Sequence, residues 1–314
     1  MKIKNIQIIS LVVGLLLFIY VLSKIDLSKI SIHSLNLDFN NIATILLLTL
    51  ALFIIRTIRW RTILTAANIR LSFIDAHLLA ASSMGLSIFT PAQSGDVLKI
   101  EFLKSKYGIQ RRKSFSTLVL EKIQDLSFLS LASIIFLVYK GKEILQLNYA
   151  ILITVVILVL IALFVIILTL HRKFEVIKTL LLSFKGLIKR LDILIISFIF
   201  TLAYWLVCSW IWVLLARIVN IEITLTMMLL VMSATNLFGV LTLIPGAIGA
   251  MEVSSALLIA LSTGYPLSRT ILVGLMARLE DVLIFIVGYF HLFFIKKTEN
   301  LNKAKSTLSK QLFE

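Results

Sequence analysis

One cysteine, Cys208, is all that 314 residues contain, and it lies inside an apolar run. An internal disulfide framework and a thiol cluster for zinc are therefore excluded. The four histidines, His33, His77, His171 and His291, have no ligand spacing among themselves or with paired carboxylates, so no metal centre and no cofactor is expected. Acid is scarce as well: 16 Asp and Glu stand against 31 Lys and Arg, a formal net charge of +15. Catalytic signatures are missing too, with no Gly-x-Ser-x-Gly elbow, no P-loop, no His-Glu-x-x-His and no paired aspartates for a metal-bound diphosphate. The expectation is a protein that is not a hydrolase or glycosyltransferase and, more broadly, not an enzyme. Only three prolines occur, so each marks a definite backbone event.

Apolar residues fill the space left by these absences. They make up 60% of the chain, and the mean hydropathy is +1.04. Soluble domains use roughly 45–50%. Runs such as 148 to 170 and 193 to 218 exceed the ~20 residues that a spanning helix needs. The predicted fold class is an all-α membrane protein, a polytopic helical bundle. Apolar segments are expected at about 6 to 22, 41 to 59, 71 to 90, 114 to 139, 148 to 170, 193 to 218, 224 to 244, 250 to 262 and 269 to 295. The first has a charged start at Lys2 and Lys4 but no small-residue cleavage motif, so it reads as a helix rather than a signal peptide.

Positive charge in this setting reads as topology rather than nucleic-acid binding, because Lys and Arg lie in short loops between apolar runs. The loop 59 to 70 is basic, and the stretch 99 to 113 carries Lys99, Lys104, Lys106, Arg111, Arg112 and Lys113. Both ends of segment 71 to 113 thus belong in the cytoplasm, which a re-entrant hairpin satisfies: a helix to about Thr90, an elbow at 91 to 95, and a short return helix ending near Lys106. Continuing the rule, the basic linker 171 to 192 is a cytoplasmic amphipathic surface helix. A second hairpin over 224 to 262 enters from outside, and the tail 298 to 314 is polar and cytoplasmic. Both termini are expected on the cytoplasmic side of a prokaryotic plasma membrane. The competing reading makes 71 to 92 and 224 to 245 full spans that their prolines merely end.

Two proline and glycine breaks organise the chain. One is Pro91-Ala92-Gln93-Ser94-Gly95-Asp96, followed by Lys122 and Asp125; the other is Pro245-Gly246-Ala247-Ile248-Gly249 with Glu252, followed by Arg278 and Asp281. Pro91 to Asp125 is 125 − 91 = 34 residues, and Pro245 to Asp281 is 281 − 245 = 36. Repeat one is expected over about 41 to 139 and repeat two over about 193 to 295, inverted relative to each other within one transmembrane domain, 1 to 297. Broken segments at matching positions of two halves point to a binding site at their interface. Gly95, Gly246 and Gly249 permit sharp elbows and close approach of backbone to a ligand.

Charges within the apolar helices are the candidate binding residues. Each costs on the order of 2.5–3.5 kcal/mol at the bilayer centre unless paired or wetted. Lys122 with Asp125, and Arg278 with Asp281, are spaced i,i+3 on one helix face, which leaves Glu121 and Glu280 spare for the opposite repeat or a coupling ion. An ion-pair network that only locks the helices is the competing role. Asp96 and Glu252 stand where a carboxylate caps exposed N–H groups, or meets a substrate cation or proton. Arg56, Arg59 and Arg61 crowd the cytoplasmic end of their helix beside Trp60, where snorkelling and the aromatic belt account for them; with Lys99 they also offer a basic entrance for a lipid phosphate.

Taken together, Thr90-Pro91-Ala92-Gln93-Ser94-Gly95-Asp96, Leu120-Glu121-Lys122-Ile123-Gln124-Asp125 and Ile244-Pro245-Gly246-Ala247-Ile248-Gly249-Ala250-Met251-Glu252 with Arg278 resemble the flippase-like family. This is the transmembrane region of lysylphosphatidylglycerol synthase and its stand-alone relatives, and the resemblance covers roughly residues 5 to 295. Family members usually show Pro-x-x-x-Gly-Glu and Glu-Arg-x-x-Asp; here Asp96 and Lys122 take the places of Glu and Arg, and Lys lacks the planar fork of Arg. The aminoacyl-transferase domain of the synthases is not expected after Glu314. The resemblance implies translocation of a polar-headed lipid, anionic or phosphate-bearing, by alternating access. Two other functions stay open: a non-catalytic partner presenting lipid to a lipid-modifying enzyme, and a lipid-phosphate transferase or phosphatase using Lys122, Asp125, Arg278 and Asp281.

Overall fold

The computed structural model describes residues 35–88, 90, 95–145, 190–242 and 244–313. The expected helices 6 to 22 and 148 to 170, nearly all of the linker 171 to 192, and elbow residues 91 to 94 lie outside these described residues. Within them the protein is all-helical: α1 (Phe39–Ala66), α2 (Phe73–Ile88), α3 (Val97–Tyr107), α4 (Arg111–Leu145), α5 (Leu191–Ile218), α6 (Leu225–Thr242), a 3₁₀ turn (Pro245–Ala247), α7 (Ala250–Thr263) and α8 (Leu267–Phe313). Among the described residues, four helices are long and apolar enough to cross a membrane, Phe39–Ala66, Arg111–Lys140, Leu191–Ile218 and Leu225–Thr242. Two shorter apolar helices, α2 with 16 residues and α7 with 14, do not reach that length. At 1.5 Å per residue they rise ~24 and ~21 Å, short of a ~30 Å hydrocarbon core.

Helix ends follow local chemistry. Ser72 Oγ accepts from the Asp75 N–H at 3.1 Å, starting α2. Gly108 takes the left-handed conformation that closes α3, with φ 64°. The last helix runs past the expected boundary at residue 295, because no proline or glycine follows Gly288 to stop it, and the region expected as a separate polar tail continues α8 to Phe313.

The packing is reciprocal. Helix α1 lies along α5 and runs antiparallel to it, since the Asn36 N–H at the start of one donates to the Ile218 carbonyl at the end of the other at 2.8 Å. Helix α2 packs mainly on α8, whereas α6 packs on α4, so the helix before each proline break rests on a long helix distant in sequence. Boundaries repeat as well: α1 and α5 begin at 39 and 191 and end at 66 and 218, an offset of 152 at both ends (191 − 39 and 218 − 66).

The α2–α8 contact is unusually close. A Cβ built on Gly288 would sit 2.7 Å from Gly85 Cα and 2.8 Å from the Ala81 carbonyl oxygen. Small residues let two backbones meet where no large side chain could fit, which is how helices associate when lipid removes the hydrophobic drive between them. Beside this crossing His77 and His291 form a T-shaped pair with ring centroids 5.2 Å apart, and Thr57 Oγ1 lies 2.9 Å from His77 Nδ1. Their proximity was not legible from 214 residues of separation.

Candidate functional site

Helices α1, α3 and α4 bring most of the charged candidates of the first half into one buried cluster. Asp96 is 1% exposed and accepts from Arg56 at 2.9 Å, Lys99 at 3.2 Å and Lys122 at 2.6 Å. Glu121, equally buried, accepts from Lys99 at 2.9 Å and lies 3.4 Å from Arg59 and 3.8 Å from Arg56. Arg59 grips Asp125 with two parallel bonds of 2.7 and 2.8 Å and also donates to the Glu121 carbonyl at 3.2 Å. The indole N–H of Trp205 on α5 completes Asp125 at 3.2 Å. Bidentate geometry of this kind is the strongest ion pairing available to a guanidinium.

Several sequence expectations change here. Lys122 does not pair with Asp125 along its own helix; it reaches Asp96, and Asp125 belongs to Arg59. Glu121 is not spare, because α1 and α3 deliver cations to it. Asp96 makes no capping bond to the start of α3, its oxygens being occupied by side-chain cations. Arg59 and Trp60 do not snorkel to the membrane surface: they are 2% and 1% exposed and turn inward, with the Lys99 ammonium 5.0 Å above the Trp60 ring. Pairing across helices wins because it satisfies buried charges from several directions, which an i,i+3 contact cannot do. Arg61 alone of that group is exposed.

The second half repeats the theme with fewer cations. Arg278 donates to Glu252 at 2.6 and 3.2 Å, to Asp281 at 2.9 Å, and to the carbonyls of Gly246 and Ala247 at 2.9 and 3.2 Å. One guanidinium thereby ties α7, α8 and the elbow together. Glu252 also accepts from the Gly249 N–H at 2.8 Å, so it caps α7 as its position suggested. The elbow needs its glycines, since Gly246 and Gly249 have φ of 62° and 80°. Ala247, at φ 48°, is held in the same left-handed region despite its Cβ. At the first elbow Gly95 is required by space rather than dihedral, for a Cβ there would meet the Ser87 nitrogen at 2.5 Å.

The two clusters are in register. Asp96 and Glu252, Lys122 and Arg278, and Asp125 and Asp281 are each separated by 156 residues (252 − 96, 278 − 122, 281 − 125). In both halves the acid after the elbow meets the base on the following helix at 2.6 Å. A constant offset among charged residues was the signal that measuring from the prolines blurred.

Between the clusters lies a cavity of about 180 Å³. Leu52 and Arg56 of α1, Thr90 of the first elbow, Gly246 and Ala247 of the second, and Arg278, Glu280 and Asp281 of α8 all border it. Tyr204, Trp205, Cys208 and Asn236 complete its polar wall. These last four were missed in sequence, where they read as ordinary residues of apolar helices. The volume is many times the ~10–15 Å³ that holds one water. Arg59, Lys99, Glu121, Lys122, Asp125 and Glu252 stand behind the wall rather than in it.

Residues 7–288 match the protein family described as Lysylphosphatidylglycerol synthase TM region. No curated protein matches the chain.

Proposed function

Because the chain belongs to the lysylphosphatidylglycerol synthase transmembrane-region family, we propose that this integral membrane protein moves a lipid with a polar, phosphate-bearing head group between membrane leaflets. The observation that carries this reading is the cavity bordered by both elbows and by charge from both halves. At about 180 Å³ it suits a head group and not acyl chains, which would stay in the surrounding lipid. Arg56 offers a guanidinium to a phosphate, and the backbone around Gly246 supplies polar groups at the opposite wall.

In this reading α2–α3 and α6–α7 are re-entrant hairpins dipping from opposite faces of the cell membrane, and the two halves form an inverted repeat. The antiparallel α1–α5 contact and the shortness of α2 and α7 support it. Both termini lie in the cytoplasm, where the basic loops collect anionic lipid. Alternating access follows from rocking one half against the other. Membrane lipids are the partners and the protein performs no covalent chemistry. The test is reconstitution of the purified chain into vesicles containing fluorescent phosphatidylglycerol or a polyprenyl phosphate, with accelerated exchange between leaflets expected for at least one of them. Exchange no faster than in protein-free vesicles for every lipid tried sinks the reading.

A further inference from the structure

Charge bookkeeping around the cavity leaves one group over. Among the described residues, Asp96, Glu121 and Asp125 share Arg56, Arg59, Lys99 and Lys122, whereas Glu252 and Asp281 share Arg278 alone. Glu280 lines the cavity and has no cationic partner among the described residues. Its counterpart at an offset of 156 is Gln124 (280 − 124), a neutral amide that donates to Ser197 Oγ at 2.6 Å. The first half thus places an uncharged, satisfied group where the second places a lone carboxyl.

The missing cations can be located. On the 152-residue offset of α1 and α5, Arg56 corresponds to Cys208 and Arg59 to Ile211. Two of the guanidinium groups that neutralise the first cluster are replaced in the second by a thiol that borders the cavity and by an apolar side chain buried in the core. A carboxylate at membrane depth without a partner is too costly to keep: it takes up a proton or binds a cation.

We propose that Glu280 forms, with the cavity wall around it, a site for a small monovalent cation, a proton or sodium, filling the place that Arg56 occupies in the other half. The inference rests on the translocation reading for its role: a cation loaded from one side and released to the other couples head-group movement to an ion gradient. The groups that tune it are named by the packing. Asp281 and Arg278 stand beside Glu280 on α8, Tyr204 and Cys208 face it from α5, Glu252 lies behind it on α7, and Arg56 closes the far side from α1. From α2 the cavity receives Met84, Ser87 and Ile88, none of which titrates.

The test uses the purified full chain in phosphatidylcholine–phosphatidylglycerol vesicles treated with a hydrophobic carbodiimide, which modifies protonated carboxyls, followed by peptide mass spectrometry. Glu280 should be labelled several-fold more than the ion-paired Glu121 and Asp125, and its label should fall as pH rises. Protection by sodium chloride but not choline chloride at fixed pH identifies the cation as sodium; pH dependence without such protection identifies it as the proton. Labelling of Glu280 no greater than that of Glu121 at any pH, with no sodium effect, overturns the site. Lipid exchange measured with and without a gradient of the identified cation then tests the coupling: wild-type exchange should change with the gradient, and the ratio of exchange with to without it should fall to one in Glu280→Gln. Wild-type exchange insensitive to that gradient overturns the coupling. Because labelling needs no lipid movement, failure of exchange for all lipids would strike the translocation reading and leave the cation site standing.

Discussion

At the scale of single residues, Arg59 is 2% exposed and serves Asp125, Glu121 and a carbonyl together. Removing one member of such a group strands the others in a low-dielectric setting, at a cost of about 3–5 kcal/mol. Arg59→Ala should therefore lower the Tm in detergent sharply or abolish folded yield. Arg111→Ala, which breaks only the surface pair with Glu101 at 2.6 Å, should leave the Tm unchanged. The Asp96–Lys122 contact can be isolated by a double-mutant cycle with Asp96→Asn and Lys122→Gln, for which a coupling on the order of 0.5–3 kcal/mol is expected from thermal or denaturant unfolding. A coupling of zero would mean that Arg56 and Lys99 alone hold Asp96. The identities of these charged residues were legible in sequence, since charge in an apolar run calls for pairing. Their partners were not, because helical spacing describes only neighbours on one helix, and Asp125 finds its cation 66 residues away.

Elements show the same division. The start and stop of α2, α5, α6 and α7 lie within about two residues of the expected segments, because caps and glycines punctuate them. The extension of α8 escaped notice because polarity was read as an end, although polarity by itself does not break a helix. The contact of α2 with α8 had no sequence signal beyond Gly85 and Gly288, and it gives the sharpest element-level prediction. Gly288→Ala places a methyl group 2.7 Å from the facing glycine's Cα, so the helices must separate, at a cost of about 1–3 kcal/mol or more. Gly264→Ala meets nothing within 4 Å and pays only the left-handed backbone penalty at φ 77°, about 1–2 kcal/mol. Thermal unfolding should thus rank Gly288→Ala below Gly264→Ala, and Gly85→Leu below both. The reverse order would show that the α2–α8 crossing is looser than its backbone distances.

For the molecule as a whole, the proposed inverted arrangement makes a prediction about sidedness. If the halves are inverted, positions at the two elbows open to opposite sides of the membrane although both border one cavity. In a Cys208→Ala background, Thr90→Cys should react with a membrane-impermeant maleimide from the cytoplasmic side, and Ile248→Cys from the outer side. Inside-out and right-side-out vesicles distinguish the two, and a mass shift on the intact chain reads the result. Two full spans ended by prolines would instead allow both cysteines to react from one side, and that outcome removes the inverted-hairpin arrangement. The prediction also bears on mechanism. Opposite-sided access at two elbows that border one cavity is what alternating exposure requires, whereas one-sided access would leave a pocket that can receive a head group but has nowhere else to deliver it.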